Sequence, residues 1–380
     1  MKLQKIVDLR TALSDEAITK LLESQPAGDH LIYIEALPNS PQEELTLARA
    51  AAALANASGG FIVVGAQPVD GAPRAGGVGA GDPDGDARTV EQVIAGATFP
   101  PVDVYAAPAR LSGERHLVVI EVPRSLDAPH QAGGTYPIRE GAAIREMPAA
   151  EREHLERDRA SDLRTLRDRA RAVTLGDMAD EAFIRGRLNG VRGAFLYVAS
   201  IPAVLTGRGV EIELPPSRVE FRLAGEAPPA WVNSEGAYTV KAMSNLPARF
   251  AFTGREGDAL FATRDLAAFR VDAGGTMAFG AKEIEKFVAD TLRDNLPVLE
   301  ILGYPGPFYA ALVVKPDRPS RLATQAGNSP WIVPSAGTFD AGEPLFVDGV
   351  VPLAFHRRPP TEAATLPLVE RLRALAGHTI

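Results

Sequence analysis

Apolar positions along this chain change their spacing several times, and each change marks a new element. Leu13, Ala17, Ile18, Leu21 and Leu22 recur at helical spacing, so residues 1–27 read as a helical lead-in that Gln25-Pro26-Ala27-Gly28 ends. Leu31-Ile32-Tyr33-Ile34-Glu35-Ala36 then reads as a strand. Ser40-Pro41-Gln42-Glu43 supplies an N-cap, a proline at the first helical position and a glutamate at the third, which is a capping box. The helix it opens runs to about Ala57, with Leu47, Ala50, Ala51 and Leu54 along one stripe. Six alanines between 48 and 55 let another backbone approach closely. Gly59 suits the left-handed position that ends a helix, and Phe61-Ile62-Val63-Val64 follows as a buried strand.

Residues 65–88, rich in glycine, proline and aspartate, read as a long mobile loop. Thr89–Ala97 predicts a short helix, and Val102–Ala107, His116–Val122 and Thr135–Arg139 predict strands. This order describes one α/β domain over 28–150. Residues 151–180 form a charged linker helix. Leu155, Leu163, Leu166, Ala170 and Val173 share a stripe of its 151–173 stretch, which suits either a solvated linker or a helix pair in a homodimer. Residues 181–380 are strand-rich and read as a second, α+β domain. Its predicted elements are strands at 194–201, 210–214, 218–223, 237–241, 260–263 and 308–314, a glycine-turned hairpin over 269–279, and helices at 282–302 and 366–376.

Composition narrows the chemistry. The chain has 380 residues and no cysteine, which excludes disulfides, thiolate metal sites and thiol catalysis. No apolar run approaches the roughly 18 residues of a membrane span, and the charged N-terminus does not read as a signal peptide, so a cytoplasmic location without membrane contact is expected. Net charge is −8. From Gly28 to Ala150 there are 15 acidic residues against 8 basic ones, all arginine. From Glu181 onward there are 21 of each. No basic block stands out, which argues against tight non-specific binding of nucleic acid.

The Ser58-Gly59-Gly60 junction invites a phosphate-binding reading, but the order is helix, glycines, strand, and no Gly-Lys-Ser/Thr follows. Asn56, Gly59 and Gly60 are read as a structural corner, with no nucleotide or other cofactor implied. No Gly-x-Ser-x-Gly elbow occurs, and no pair of histidines has metal-ligand spacing.

The same corner, Ala53-Leu54-Ala55-Asn56-Ala57-Ser58-Gly59-Gly60-Phe61-Ile62-Val63-Val64-Gly65, follows a strand ending Ile34-Glu35. It precedes Ala128-Pro129-His130 and Tyr136-Pro137-Ile138-Arg139-Glu140-Gly141. In that order these pieces resemble the Schlafen-type AlbA-like family of DNA-binding domains, in a bacterial two-domain form. The resemblance implies a protein that binds DNA or RNA, such as a transcriptional regulator, with Arg124, His130, Arg139 and Arg145 as the contact residues. The residues themselves leave other roles open: His130 also suits a buried histidine held by backbone, and Arg139 a structural ion pair.

Two departures matter. The family's lysine after its Glu-Phe is Leu37 here. Metal-dependent ribonucleases among the relatives use three carboxylates, and the matching positions are His30, Glu35 and Gln67, of which one is acidic. A two-metal site needs several anionic oxygens, so no catalytic or metal site is assigned. Three readings remain: a non-enzymatic nucleic-acid binder, a protein-interaction or structural module with a degenerate binding face, and a metal-dependent nuclease with an altered site.

Overall fold

The computed structural model describes residues 27–69, 72–79, 81–111 and 114–175, and then 195–202, 221, 230–232, 236–243, 246–254, 258–263, 270–271, 277–301, 306–315, 320–325, 332–339, 344–358 and 366–375. The lead-in over 1–26, the strand expected at 210–214 and all of 218–223 but Phe221 lie outside the described residues. The chain divides into two compact units, Met1–Leu163 and Arg164–Ile380.

In the first unit β1 (Leu31–Ile34) leads through α1 (Pro41–Asn56) to β2 (Gly60–Val64), which pairs parallel to it. A hairpin of β3 (Ala66–Val69) and β4 (Ala72–Ala75) follows, then α2 (Pro83–Ala97), β5 (Thr98–Phe99), β6 (Tyr105–Arg110) and β7 (His116–Val122). The main sheet has the order β1-β2-β7-β6. Every residue of β7 is buried, as expected of a central strand covered on both faces. Among the described residues two small pairings accompany this sheet: β8 (Gln131–Ala132) with β5, and β9 (Pro137–Glu140) with β10 (Ala143–Glu146).

The alanines of α1 have a clear purpose. Ala48, Ala50, Ala51, Ala52, Ala53 and Ala55 are all buried, because the sheet, α2 and the strands β8 and β9 surround the helix. A helix apolar on all sides is a buried one, and small side chains let its neighbours close in. At its start Ser40 Oγ accepts from Glu43 N, while Glu43 Oε2 accepts from Asn39 N at 2.8 Å, one residue earlier than in the predicted box.

The stretch read as a loop over 65–88 is more ordered than expected. It holds the β3–β4 hairpin, and α2 begins at Pro83 rather than Thr89. Proline suits the first turn, and Asp84 and Asp86 favour the positive end of the helix. Asp86 Oδ2 also lies 2.9 Å from Nε2 of buried His116, tying that first turn to β7. The strand expected at 102–107 starts three residues later, because Val102 N donates to Thr98 Oγ1 in a local turn instead of to a ladder.

Helix α3 (Ala149–Leu175) crosses the division at Leu163. Of its predicted stripe, Leu166, Ala170 and Val173 are buried and Leu155 and Leu163 half-buried within the protein itself.

The second unit is built on a seven-stranded antiparallel sheet. Its strands are β11 (Phe195–Pro202), β12 (Ala230–Val232), β13 (Gly236–Met243), β14 (Leu246–Gly254), β15 (Ala259–Thr263), β18 (Phe308–Lys315) and β21 (Leu345–Val351). They lie in the order β12-β13-β14-β15-β11-β18-β21. A four-stranded sheet holds β16 (Arg270–Val271), β17 (Met277–Gly280), β19 (Ser320–Gln325) and β20 (Ile332–Phe339), with β16 and β17 forming the expected hairpin. Helix α4 (Ala281–Ile301) buries Ile284, Val288, Leu292, Leu296 and Leu299, spaced three or four apart, in one core with Phe308, Ala310, Leu312 and Val314 of β18. Helices α5 (Leu353–Arg357) and α6 (Pro367–Leu375) close the unit, with Phe355, Leu368 and Leu372 in the same core. The fold is therefore an α/β unit followed by a strand-rich α+β unit.

Candidate nucleic-acid interface

The corner after α1 is held by backbone contact too close for any side chain. Gly59 has φ +74°, and a Cβ there would lie 2.5 Å from Arg124 N. A Cβ on Gly60 would lie 2.3 Å from His30 O. The glycines thus let β2 enter the sheet directly beside the 30 and 124 segments.

Asn56, the last residue of α1, fastens the corner from inside. Its Nδ2 donates to His130 O at 2.9 Å and Pro137 O at 2.8 Å, and its Oδ1 accepts from His130 N at 2.6 Å. One buried amide therefore joins the Pro-His segment and β9 to the end of α1. Arg159 of α3, also buried, donates from Nη2 to Asn56 O at 3.4 Å and Ala57 O at 3.2 Å. A cation on the final carbonyls suits the negative end of the helix dipole. Burial nevertheless pulls the Arg159 guanidinium down to about 10, helped by Arg124 and opposed by Asp162 and Asp158.

The four predicted contact residues all sit around this corner, and all have partners within the chain. His130 is fully buried, with Nδ1 2.6 Å from Pro100 O. A carbonyl only accepts, so Nδ1 carries the proton. Burial lowers the His130 pKa, outweighing the Pro100 bond and Asp127. Arg139 is 9% exposed and donates to Gly28 O at 2.9 Å and Leu31 O at 3.2 Å, clamping the start of β1. Arg124 meets Asp162 at 2.6 Å. Arg145 takes Glu151 in a fork of 2.8 and 3.0 Å and Glu140 at 2.5 Å, which hold its pKa above the usual guanidinium range. Arg124 and Arg145 keep side-chain exposures of 30% and 39%, so these two alone of the four reach the surface appreciably.

Of the three positions that the resemblance aligns with ribonuclease carboxylates, two have described side chains. His30 Nδ1 lies 3.0 Å from Gly59 O and belongs to the corner. Glu35 is exposed just past β1. Gln67 lies on β3 opposite Arg74, with its side chain outside the described residues. Among the described residues no three His, Cys, Asp or Glu side chains form a group that could hold a metal ion, and no helix is long and apolar enough to cross a membrane.

Sequence reasoning missed Arg159. The signal was there: Arg159, Leu166 and Val173 are seven apart, so this arginine occupies the buried stripe of a helix whose other charges are exposed or half-buried.

No curated protein matches the chain. Among solved structures, the DIP2311 protein from Corynebacterium diphtheriae is 20% identical over 41% of this chain, with a TM-score of 0.29; the match spans 28% of that protein's length. The N-terminal domain of an ATP-dependent DNA helicase RecG-related protein from Nitrosomonas europaea is 20% identical over 36% of this chain and 94% of its own, with a TM-score of 0.25. Residues 33–148, which hold the end of α1, the corner glycines, the Pro-His segment and the β9–β10 hairpin, match the family described as Schlafen, AlbA_2.

Proposed function

We propose that this chain is a nucleic-acid-binding protein of the cytoplasm, acting as a regulator by binding rather than by catalysis. The observation that carries the reading is the AlbA_2 domain over residues 33–148. Within it Arg124 and Arg145 are the contact residues, because their guanidiniums reach the surface and can exchange a carboxylate for a phosphate. His130 and Arg139 support them from inside the corner. The test is fluorescence anisotropy with DNA duplex and single-stranded RNA probes across a salt series. Log K should fall linearly with log salt at a slope of about −0.9 per duplex phosphate contact. Absence of binding to either probe at about 50 mM salt overturns the reading.

A second reading, an interaction module without nucleic acid, is favoured by one observation: each of the four predicted contact residues already has a carbonyl or carboxylate of the same chain as its partner. Self-association fits either reading. Half-buried Leu155 and Leu163 leave part of the α3 stripe to a second copy. Light scattering at the monomer mass of 40.3 kDa would remove the dimer.

A further inference from the structure

We propose that the arginines gathered on the edge strand β21 form a contact surface for the phosphate backbone of a nucleic acid, so that the second unit contributes contacts outside the AlbA_2 domain. The inference rests on the nucleic-acid reading above. Its centre is Asp348, whose side chain is 6% exposed. Arg167 of α3 donates to it from Nε at 2.5 Å and Nη2 at 3.3 Å, Tyr309 from its hydroxyl at 2.5 Å, and Arg371 of α6 from Nη1 at 2.7 Å. Arg371 also donates to Asp348 O at 2.6 Å. Two guanidiniums thus share one carboxylate, leaving a positive charge in excess. The acid is inside and the cations outside: the Arg167 and Arg371 side chains are 47% and 55% exposed.

Phe346, two residues earlier on the strand, shares the face of Asp348. The guanidinium of exposed Arg171 lies over its ring, 5.0 Å from the centroid. That is a third fixed cation, here oriented by an aromatic ring. Arg164, exposed, is seven residues before Arg171 and therefore on the same side of α3. Two exposed carboxylates, Asp168 and Glu370, are the sequence neighbours of Arg167 and Arg371. Arg167 and Arg371, held by the buried acid, and Arg171, held over the ring, offer their remaining guanidinium N–H groups to a phosphate, and their side chains are already positioned before a partner arrives.

The experiment uses the full chain and a labelled DNA duplex of about 20 base pairs in anisotropy titrations between roughly 50 and 200 mM salt. Arg164→Gln/Arg171→Gln removes two phosphate-binding guanidiniums and should reduce the salt slope by about 1.8, and Arg164→Gln alone, at an exposed helix position, by about half of that. Asp168→Asn/Glu370→Gln should tighten binding. An unchanged slope in the first two variants, with the wild type binding, overturns the β21 surface and leaves the nucleic-acid reading standing. No binding by the wild type removes both. Preference for polyglutamate over the duplex, abolished in the same variants, overturns the proposal in favour of an acidic protein partner.

Discussion

The arginines of the N-terminal unit and those on β21 are arranged in opposite senses. Around the α1 corner the guanidiniums point inward or meet their own carboxylates: Arg139 and Arg159 on carbonyls, Arg145 between two glutamates, Arg124 on Asp162. On β21 a single buried carboxylate anchors two guanidiniums that remain about half exposed. The same residue type is therefore a packing element at Arg139 and Arg159 and a presented charge at Arg167 and Arg371. The lesson is that counting basic residues does not locate a binding face, because the position of the acid decides where the cation's remaining field is felt.

The comparison breaks most sharply under substitution at the corner. Asn56→Ala should lower the stability of the N-terminal unit by about 3 kcal/mol, since His130 N, His130 O and Pro137 O all lose their partner in a buried site. Denaturant unfolding followed by far-UV circular dichroism measures this, and a loss under 1 kcal/mol would show the amide latch to be dispensable. Next comes Arg139→Ala, expected to cost about 2 kcal/mol through its two carbonyl bonds while leaving the salt slope of nucleic-acid binding unchanged. A slope reduced by about 0.9 without a stability loss would make Arg139 a phosphate contact after all.

Acid should separate the two units. His130 has a folded pKa below the unfolded value of about 6.5, so its contribution is fully present above that pH and is lost as pH falls through the lower folded value. For Asp348, burial pushes the carboxyl up, but the Arg167 and Tyr309 hydrogen bonds and the charges of Arg167 and Arg371 outweigh it and hold the pKa below the usual range. Its contribution is present above about pH 4 and is lost as pH falls further. Hydrogen exchange at a series of pH values should therefore show protection failing first in the N-terminal unit, and Asp348→Asn should flatten only the lower window. The smallest effect is expected of Arg164→Gln, whose stability change should stay within about 0.5 kcal/mol. A larger loss would make Arg164 a packing residue like those of the corner.

Much of the fold was legible because periodicity reports burial. The alanine-rich stripe of α1, the apolar run of β7 and the leucines of α4 each gave their element within a few residues. The start of α2 was missed because Pro83, Asp84, Gly85 and Asp86 carry loop composition, and only the first-turn role of proline and aspartate turns them into a helix entrance. The corner glycines were legible as backbone devices. The partners of the arginines were not, because Arg139 finds Gly28 and Leu31 more than 100 residues away, and nothing local in Ile138-Arg139-Glu140 announces that.

One consequence concerns where the N-terminal unit can be cut. The AlbA_2 match stops at residue 148, yet Glu151, Arg159 and Asp162 beyond it bind Arg145, the Asn56 and Ala57 carbonyls and Arg124. An expressed fragment trimmed to the family boundary would leave two carbonyls uncovered at the end of α1, Arg124 without Asp162, and Arg145 with Glu140 but not Glu151. The first compact unit ends at Leu163, so a truncation series across residues 148–163 should gain protease resistance in a step once Asp162 is included rather than gradually.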